Sequence, residues 1–366
     1  MKPQTRGALL VLGVLVVSAV LGGFYGPPVR ATAAGASDVQ DSVKTFTRVL
    51  SVVQKNNAIP VDADKSLYGG AIPAMLRLLD PHSNFFDPRQ YALLREDQRG
   101  RYYGVGMTVG PQDDNTVVLA PMPGSPAAKA GIRPGDIIAT VESKPAKGLT
   151  TSEVADMLKG PKGTVVHIGM LREGYADPFV FTVTRDEIPK RSLDASFEVR
   201  PGIGYVQLAQ GFNEDTDTEL AAALARLNAP NLDGLIIDLR GNPGGLLNEA
   251  VSIADMFLDR GQLIVSHRGR SSPERRYPAA RGNRGLTVPL VVLVNGGSAS
   301  ASEIVSGAIQ DHDRGLIVGE QTFGKGLVQT VSPLSQGTGL ALTTARYYTP
   351  SGRLIQRDYK DVSLYD

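Results

Sequence analysis

The sequence predicts an α/β fold in which a helical N-terminal segment and a strand-rich middle precede a C-terminal half of alternating strands and helices. Three observations carry this. From Gly204 onward the pattern runs strand Tyr205–Leu208, helix Thr216–Leu227, strand Gly234–Leu239, helix Leu246–Leu258, strands Leu263–Val265 and Leu290–Val294, and helix Ser302–Gln310. Such alternation argues for helices layered on a sheet. Between Tyr103 and about Arg185 the texture is short strands and turns, with Val117–Leu119 and Val165–Leu171 the clearest strands. Asp38–Gln54 places Val39, Val43, Phe46, Val49, Leu50 and Val53 at helical spacing. A chain of 366 residues has room for two or three such units.

Taken in order, Lys2 and Arg6 precede an apolar run, Ala8–Phe24, and then small residues at Ala31-Thr32-Ala33. This reads as a secretory signal or, at the short limit for a span, an uncleaved anchor. Residues 1–36 are assigned to it. Either form puts the bulk of the chain outside the cytoplasm, in a periplasmic or other extracytoplasmic space, with residues 8–24 in the inner membrane if the anchor stays. Residues 37–92 form the helical segment. Its second helix is expected over Ala63–Leu79, ended by Leu79-Asp80-Pro81-His82-Ser83, because proline pushes the preceding residue out of the helical region. Asp87-Pro88 opens a third helix. The segment is apolar enough to need a partner surface, a second copy of the chain being one.

Composition removes several functions. The 38 basic residues against 37 acidic leave a net charge of +1, so no nucleic-acid partner is expected. The absence of cysteine excludes disulfides, zinc-thiolate sites and a cysteine nucleophile. The four histidines show no HxxxH or HExxH spacing, and all four read as bland.

Three glycine-rich places remain as candidates for chemistry. Tyr103-Gly104-Val105-Gly106 stands before the strand Met107–Val109, where consecutive amides turn into one concavity suited to an anion. The strand Leu235–Leu239 runs through Asn242-Pro243-Gly244-Gly245 into a helix, leaving N–H groups for an oxyanion or a phosphate. It lacks GxGxxG and the Walker lysine-serine, which disfavours a nucleotide. Ser300 lies in Ser298-Ala299-Ser300-Ala301-Ser302 after the strand Val291–Val294, and Lys325 sits between two glycines in apolar surroundings. Burial lowers a lysine pKa toward that of a neutral base, and serine–lysine pairs are a variant of triad logic. On these residues alone, a lysine in a glycine loop is more often structural.

The string Gly124–Ile138, with its Ser125–Ala130 helix and Pro134-Gly135-Asp136 turn, resembles a PDZ domain over roughly residues 93–185. By that resemblance Tyr103, Gly104, Val105 and Gly106 hold the carboxylate of a peptide added as a strand. Together with Gly-Glu-x-Thr-Phe-Gly-Lys-Gly around Lys325, Ala345–Gly352 and Leu79–Ser83, the blocks resemble the C-terminal processing peptidases from about Asp38 to the end. The resemblance implies a mixed α/β serine-protease core with ClpP/crotonase-like layers over 186–366, interrupted by the PDZ domain. It makes Ser300 the nucleophile, Lys325 the general base 25 positions on, and Gln329 the residue that orients the lysine. The N–H groups of Ala301 and Gly245 become the oxyanion hole. Ser298 and Ser302 shape the turn and the helix, Glu303 is structural, and a basic residue at Lys159 either links the PDZ domain to the protease site or is only a solvated helix end. Substrates are proteins or peptides with free C-termini, and no metal or cofactor is implied. Two rival readings are a catalytically silent PDZ scaffold binding protein C-termini in the cell envelope and an acyl-thioester enzyme. Members of that family usually continue through a Gly-x-x-Pro-Asp segment that is not found here, so an apolar edge completed by another chain or a second copy is expected.

Overall fold

A computed structural model describes residues 34–175 and 177–358, and the chain divides into two units between Ile72 and Pro73. The run Ala8–Phe24 lies outside the described residues; among the described residues no helix is long and apolar enough to cross a membrane. In the first unit, α1 (Ala34–Asn56) carries the predicted apolar stripe, and α2 (Ala63–Ser66) begins on the Asp62 carboxylate, which accepts from the Asp64 and Lys65 N–H groups. The predicted Ala63–Leu79 helix is interrupted. Leu67–Ala71, with Gly69-Gly70 inside it, winds as a π turn, and α3 (Ile72–Arg77) resumes and stops two residues before Leu79. Each glycine weakens an α-helix by about 1 kcal/mol, which makes this the place where the regular winding yields.

The second unit, which begins within α3 at Pro73, continues with β1 (Asn84–Phe86) and α4 (Pro88–Arg99). Proline stands in the first turn of α4, as the sequence predicts, and Asp87 and Gln90 cap the helix reciprocally. β2 (Arg101–Gly104) then pairs with β9 (Asp186–Pro189), so the chain enters and leaves the strand-rich middle side by side. Between them β3 (Met107–Gln112), β4 (Asn115–Pro121), β5 (Ile137–Val141), β7 (Val165–Leu171) and β8 (Phe179–Thr184) form one antiparallel sheet, with β6 (Lys144–Pro145) beside β5. Two helices close it: α5 (Pro126–Ala130), begun on Ser125 and stopped by left-handed Gly131, and α6 (Thr151–Leu158), with a Thr150–Glu153 capping box. Val118, Ile138, Val154, Val166, Ile168 and Met170 fill this small core.

The larger core has two sheets. β10 (Ala195–Arg200) lies antiparallel to β11 (Ile203–Gln207), which continues in parallel through β12 (Gly234–Asp238), β15 (Leu290–Val294) and β16 (Leu316–Gly319). Helices α7 (Thr216–Arg226), α8 (Leu247–Asp255) and α9 (Ala301–Asp311) bury Leu220, Ile253 and Ile304 against Val206, Ile237 and Val292. The second sheet is antiparallel, in the order β1-β18-β13-β14, with β17 also on β18; here β13 is Leu263–Gly269, β14 Ser272–Pro278, β17 Leu327–Pro333 and β18 Gly339–Tyr348. The sequence reading did not name β14, β17 or β18. β17 and β18 are half-buried and β14 is mostly exposed, and they carry Arg, Thr or Ser among the apolar residues, which blurs the alternation that marks a strand.

Candidate active site

Ser300 stands where β15 turns into α9, at φ +54° and ψ −112°. That backbone is strained for a residue with a Cβ, by about 1–3 kcal/mol, and it persists because its surroundings are tied down. Ser298 donates its hydroxyl to the Leu239 carbonyl (2.7 Å) and accepts the Asn295 N–H (3.0 Å). Ser302 donates to the Asn242 carbonyl (3.1 Å). The two neighbouring serines therefore both hold the turn, where the sequence suggests one for the turn and one for the helix.

Asn242 joins this turn to the glycine loop. It is fully buried. Its carbonyl accepts the Ala299 N–H (3.0 Å), its Oδ1 accepts the Gly244 N–H (2.8 Å), and its Nδ2 donates to the Leu208 and Gln210 carbonyls. Gly244 lies so close to Ser300 that an added Cβ would stand 2.8 Å from the Ser300 Cβ and 2.5 Å from the Ala299 carbonyl oxygen. Its N–H is already engaged by Asn242. Gly245, one residue on, is exposed to the cleft. The bonds from the Phe212 N–H to Gly244 and from the Leu246 N–H to Phe212 do not use the Gly245 N–H. Ala301 is the first residue of α9, a position whose N–H has no partner within the helix.

Lys325 lies on an irregular loop ahead of β17. The segment 355–357 crosses it closely: the Arg357 N–H donates to the Gly324 carbonyl (2.9 Å), and the Gly326 N–H to Gln356 Oε1 (2.9 Å). A Cβ on Gly326 would meet the Gln356 nitrogen at 2.4 Å, so glycine is required there. Burial pushes the Lys325 amine below the ordinary lysine range, against the opposing carboxylates of Asp80 and Glu303.

Glu303, read from sequence as structural, is the staple between the two loops. It is 4% exposed. One oxygen accepts the Ser300 N–H (2.7 Å) and the Lys325 N–H (2.9 Å), the other the Thr322 hydroxyl and the Gly324 N–H (both 2.7 Å). The capping-box spacing Ser300–Glu303 was visible in sequence; the contacts to 322–325 were not.

Ser300, Gly245, Lys325 and Gln329 line one cleft of about 820 Å³. His82 lines it too, which corrects the bland reading of that histidine: burial, and then the charge of Lys325, hold its imidazole below the usual range. Gln329 donates its amide to the His82 carbonyl. Helix α4 supplies Leu94, Asp97 and Gln98 to the same wall. On its other side, Arg89 reaches Ser152 (2.7 Å) and Asp156 (2.5 Å) of α6, and Glu96 pairs with Lys159 (2.6 Å), whose ammonium also sits 5.2 Å from the Tyr102 ring centre.

The candidate peptide-binding loop is elsewhere, and none of its four residues lines this cleft. Tyr103 and Gly104 lie in β2, opposite Glu187 and Asp186, while Val105 and Gly106 make the turn into β3. The carbonyls of Val105 and Gly106 accept the N–H groups of Ala127 (2.8 Å) and Met122 (3.0 Å) inside the domain.

A two-sheet α/β core with a strained serine at a strand–helix turn, preceded by an inserted antiparallel module, has the build of a serine peptidase with a recognition domain. Residues 202–362 match peptidase family S41, and residues 117–172 match a PDZ domain. The carboxy-terminal-processing protease of Bartonella bacilliformis is 39% identical over 335 residues, spanning 90% of this chain and 76% of that protein. The carboxy-terminal processing protease CtpA of Bacillus subtilis is 35% identical over 295 residues, 80% of this chain and 62% of that one. A solved photosystem II D1 C-terminal processing protease aligns with 85% of this chain and 83% of its own at 36% identity, with a TM-score of 0.47. The chain belongs to peptidase family S41, within its PDZ-bearing carboxy-terminal processing proteases.

Proposed function

We propose that the protein cleaves protein substrates selected by their C-terminal tails, with Ser300 as nucleophile and Lys325 as general base. The observation that carries this reading is the convergence of the strained Ser300 and the buried Lys325 on one cleft, stapled through Glu303. A neutral Lys325 amine takes the hydroxyl proton as Ser300 Oγ bonds to the scissile carbonyl carbon. The oxygen, now an anion, rests on the Gly245 and Ala301 N–H groups, each donor being worth about 3 kcal/mol in such sites. Lys325 returns the proton to the leaving nitrogen as the C–N bond breaks. It then deprotonates the water that attacks the acyl-serine, and gives that proton to Ser300 Oγ as the ester C–O bond breaks. Gln329 orients the lysine. The turn at Val105-Gly106, with Tyr103 and Gly104 behind it, receives the terminal carboxylate while the tail adds to β3.

Residues 1–36 support export, with Ala8–Phe24 as signal or inner-membrane anchor, and the apolar stripe of α1 supports a second copy as partner. Two measurements on the full chain test the central claim. The wild type is expected to take a fluorophosphonate label on Ser300 and to release tail-dependent peptide products, seen by mass spectrometry. An unlabelled chain that still binds tailed peptides is the silent scaffold.

A further inference from the structure

The turn Asp80-Pro81-His82-Ser83 does more than end a helix. Asp80 Oδ1 accepts the His82 and Ser83 N–H groups (2.8 and 2.7 Å), and Oδ2 accepts the Ser83 hydroxyl (2.8 Å). The turn is thereby closed on itself and presents two acceptors outward. Both are used at one point of the neighbouring sheet. The His82 carbonyl takes the Gln329 side-chain amide, and the Oγ of Ser83, a residue only 6% exposed, takes the Thr343 N–H (3.1 Å). Gln329 and Thr343 face each other in the β17–β18 ladder, where the register shifts between Val328 and Gln329. A bulge leaves ladder groups without their regular partners and re-aims the side chain beside it. Here the extra residue is Thr344 of β18, Gln329 stands beside it, and the Thr343 N–H is taken by Ser83 Oγ.

We infer that the Asp80–Ser83 turn is a positioning element of the active site, holding the β18 bulge and the Gln329 amide so that Gln329 and Lys325 present to Ser300. This rests on the serine–lysine reading above and adds residues outside it. Asp80 also acts through charge. Burial raises its own pKa, but the Ser83 hydroxyl and the Ser83 and His82 amides hold it below the ordinary carboxylate range, so it faces Lys325 as an anion. The other titratable groups bearing on Lys325 are Glu303 and the His82 imidazole, whose pKa burial and Lys325 lower.

The test is the rate of Ser300 labelling by a fluorophosphonate across pH, with thermal melting and tailed-peptide binding measured on the same full-length chains. Asp80→Asn keeps the acceptor for the two turn amides and removes the charge. Its acid limb is expected about one pH unit lower, because a nearby carboxylate favours the ammonium form. Ser83→Ala frees the Thr343 N–H and should slow labelling about tenfold or more at every pH, since small misplacements of reacting groups are costly. Peptide binding should be unchanged in both. Folded variants that label at the wild-type rate with an unmoved limb overturn the inference, even if both melt earlier. Should Asp80→Asn fail to fold, the rate for Ser83→Ala decides alone. A wild-type chain that takes no label overturns the dyad and this inference with it, a failure seen before any variant is made.

Discussion

The nucleophile turn and the base loop meet in one cleft but are built in opposite ways. Ser300 sits between a buried strand and a helix whose residues Ala301–Ile309 are all buried, so the elements that flank it adjoin it in sequence. Lys325 sits on a loop with no regular structure of its own. Gly324 and Gly326 are gripped by residues 356 and 357, the backbone of 324–325 by Glu303, and the Gly326 carbonyl by the Tyr347 N–H (2.7 Å). The serine's strand, turn and helix adjoin one another in sequence and are then tied to the Leu239–Asn242 loop, whereas the lysine loop is held throughout by contacts remote in the chain. The difference teaches that such a site fails in two ways: chemically at the serine, and geometrically around the lysine.

The largest effects fall on the reacting groups and leave the fold alone. Ser300→Ala and Lys325→Arg should each lower kcat on a tailed peptide by about 10⁴-fold or more, with melting unchanged for Ser300→Ala. The arginine keeps the charge but cannot release its proton near neutral pH. An active Lys325→Arg enzyme removes lysine from the base role.

Next comes Glu303→Gln, which joins the two loops and so should blur the contrast. An amide in place of the carboxylate sets donors against donors at the buried staple. The expected loss is about 1–3 kcal/mol of stability, together with a fall in kcat of about 100-fold. Melting curves and kinetics on one preparation separate this from the serine variant, whose melting should not move.

The pH profile probes the lysine side alone. The base must be neutral, so kcat/KM should be low where Lys325 is protonated and rise with pH through its pKa. Because burial, the largest influence, lowers that pKa, the rise should fall below the ordinary lysine value of about 10.4. A rate that climbs only through the ordinary lysine range would mean that the amine is not shielded as the structure has it.

The smallest effect is expected at Lys159, outside both loops. Its pair with Glu96 is partly exposed, worth about 1 kcal/mol or less. Lys159→Ala should change KM for a tailed peptide up to about fivefold and leave Ser300 labelling untouched. Identical kinetics with the wild type would leave Lys159 only a surface role.

Much of this was legible in the chain itself. The capped helices at Asp87, Ser125 and Thr150 and the strand–turn–helix around Ser300 are written in residues within a few positions of one another. Apolar periodicity, caps and turn glycines act over that range, so they determine these elements before any long-range contact forms. The strand β1 within the expected helical segment, the half-polar strands β14, β17 and β18, and the company kept by Lys325 were decided only in the tertiary structure. His82 meets Gln329 across 247 positions of chain, and Ser83 meets Thr343 across 260. Hydrogen bonds of that span leave no periodic mark on the sequence, because their partners are chosen by the folded sheets rather than by spacing along the chain.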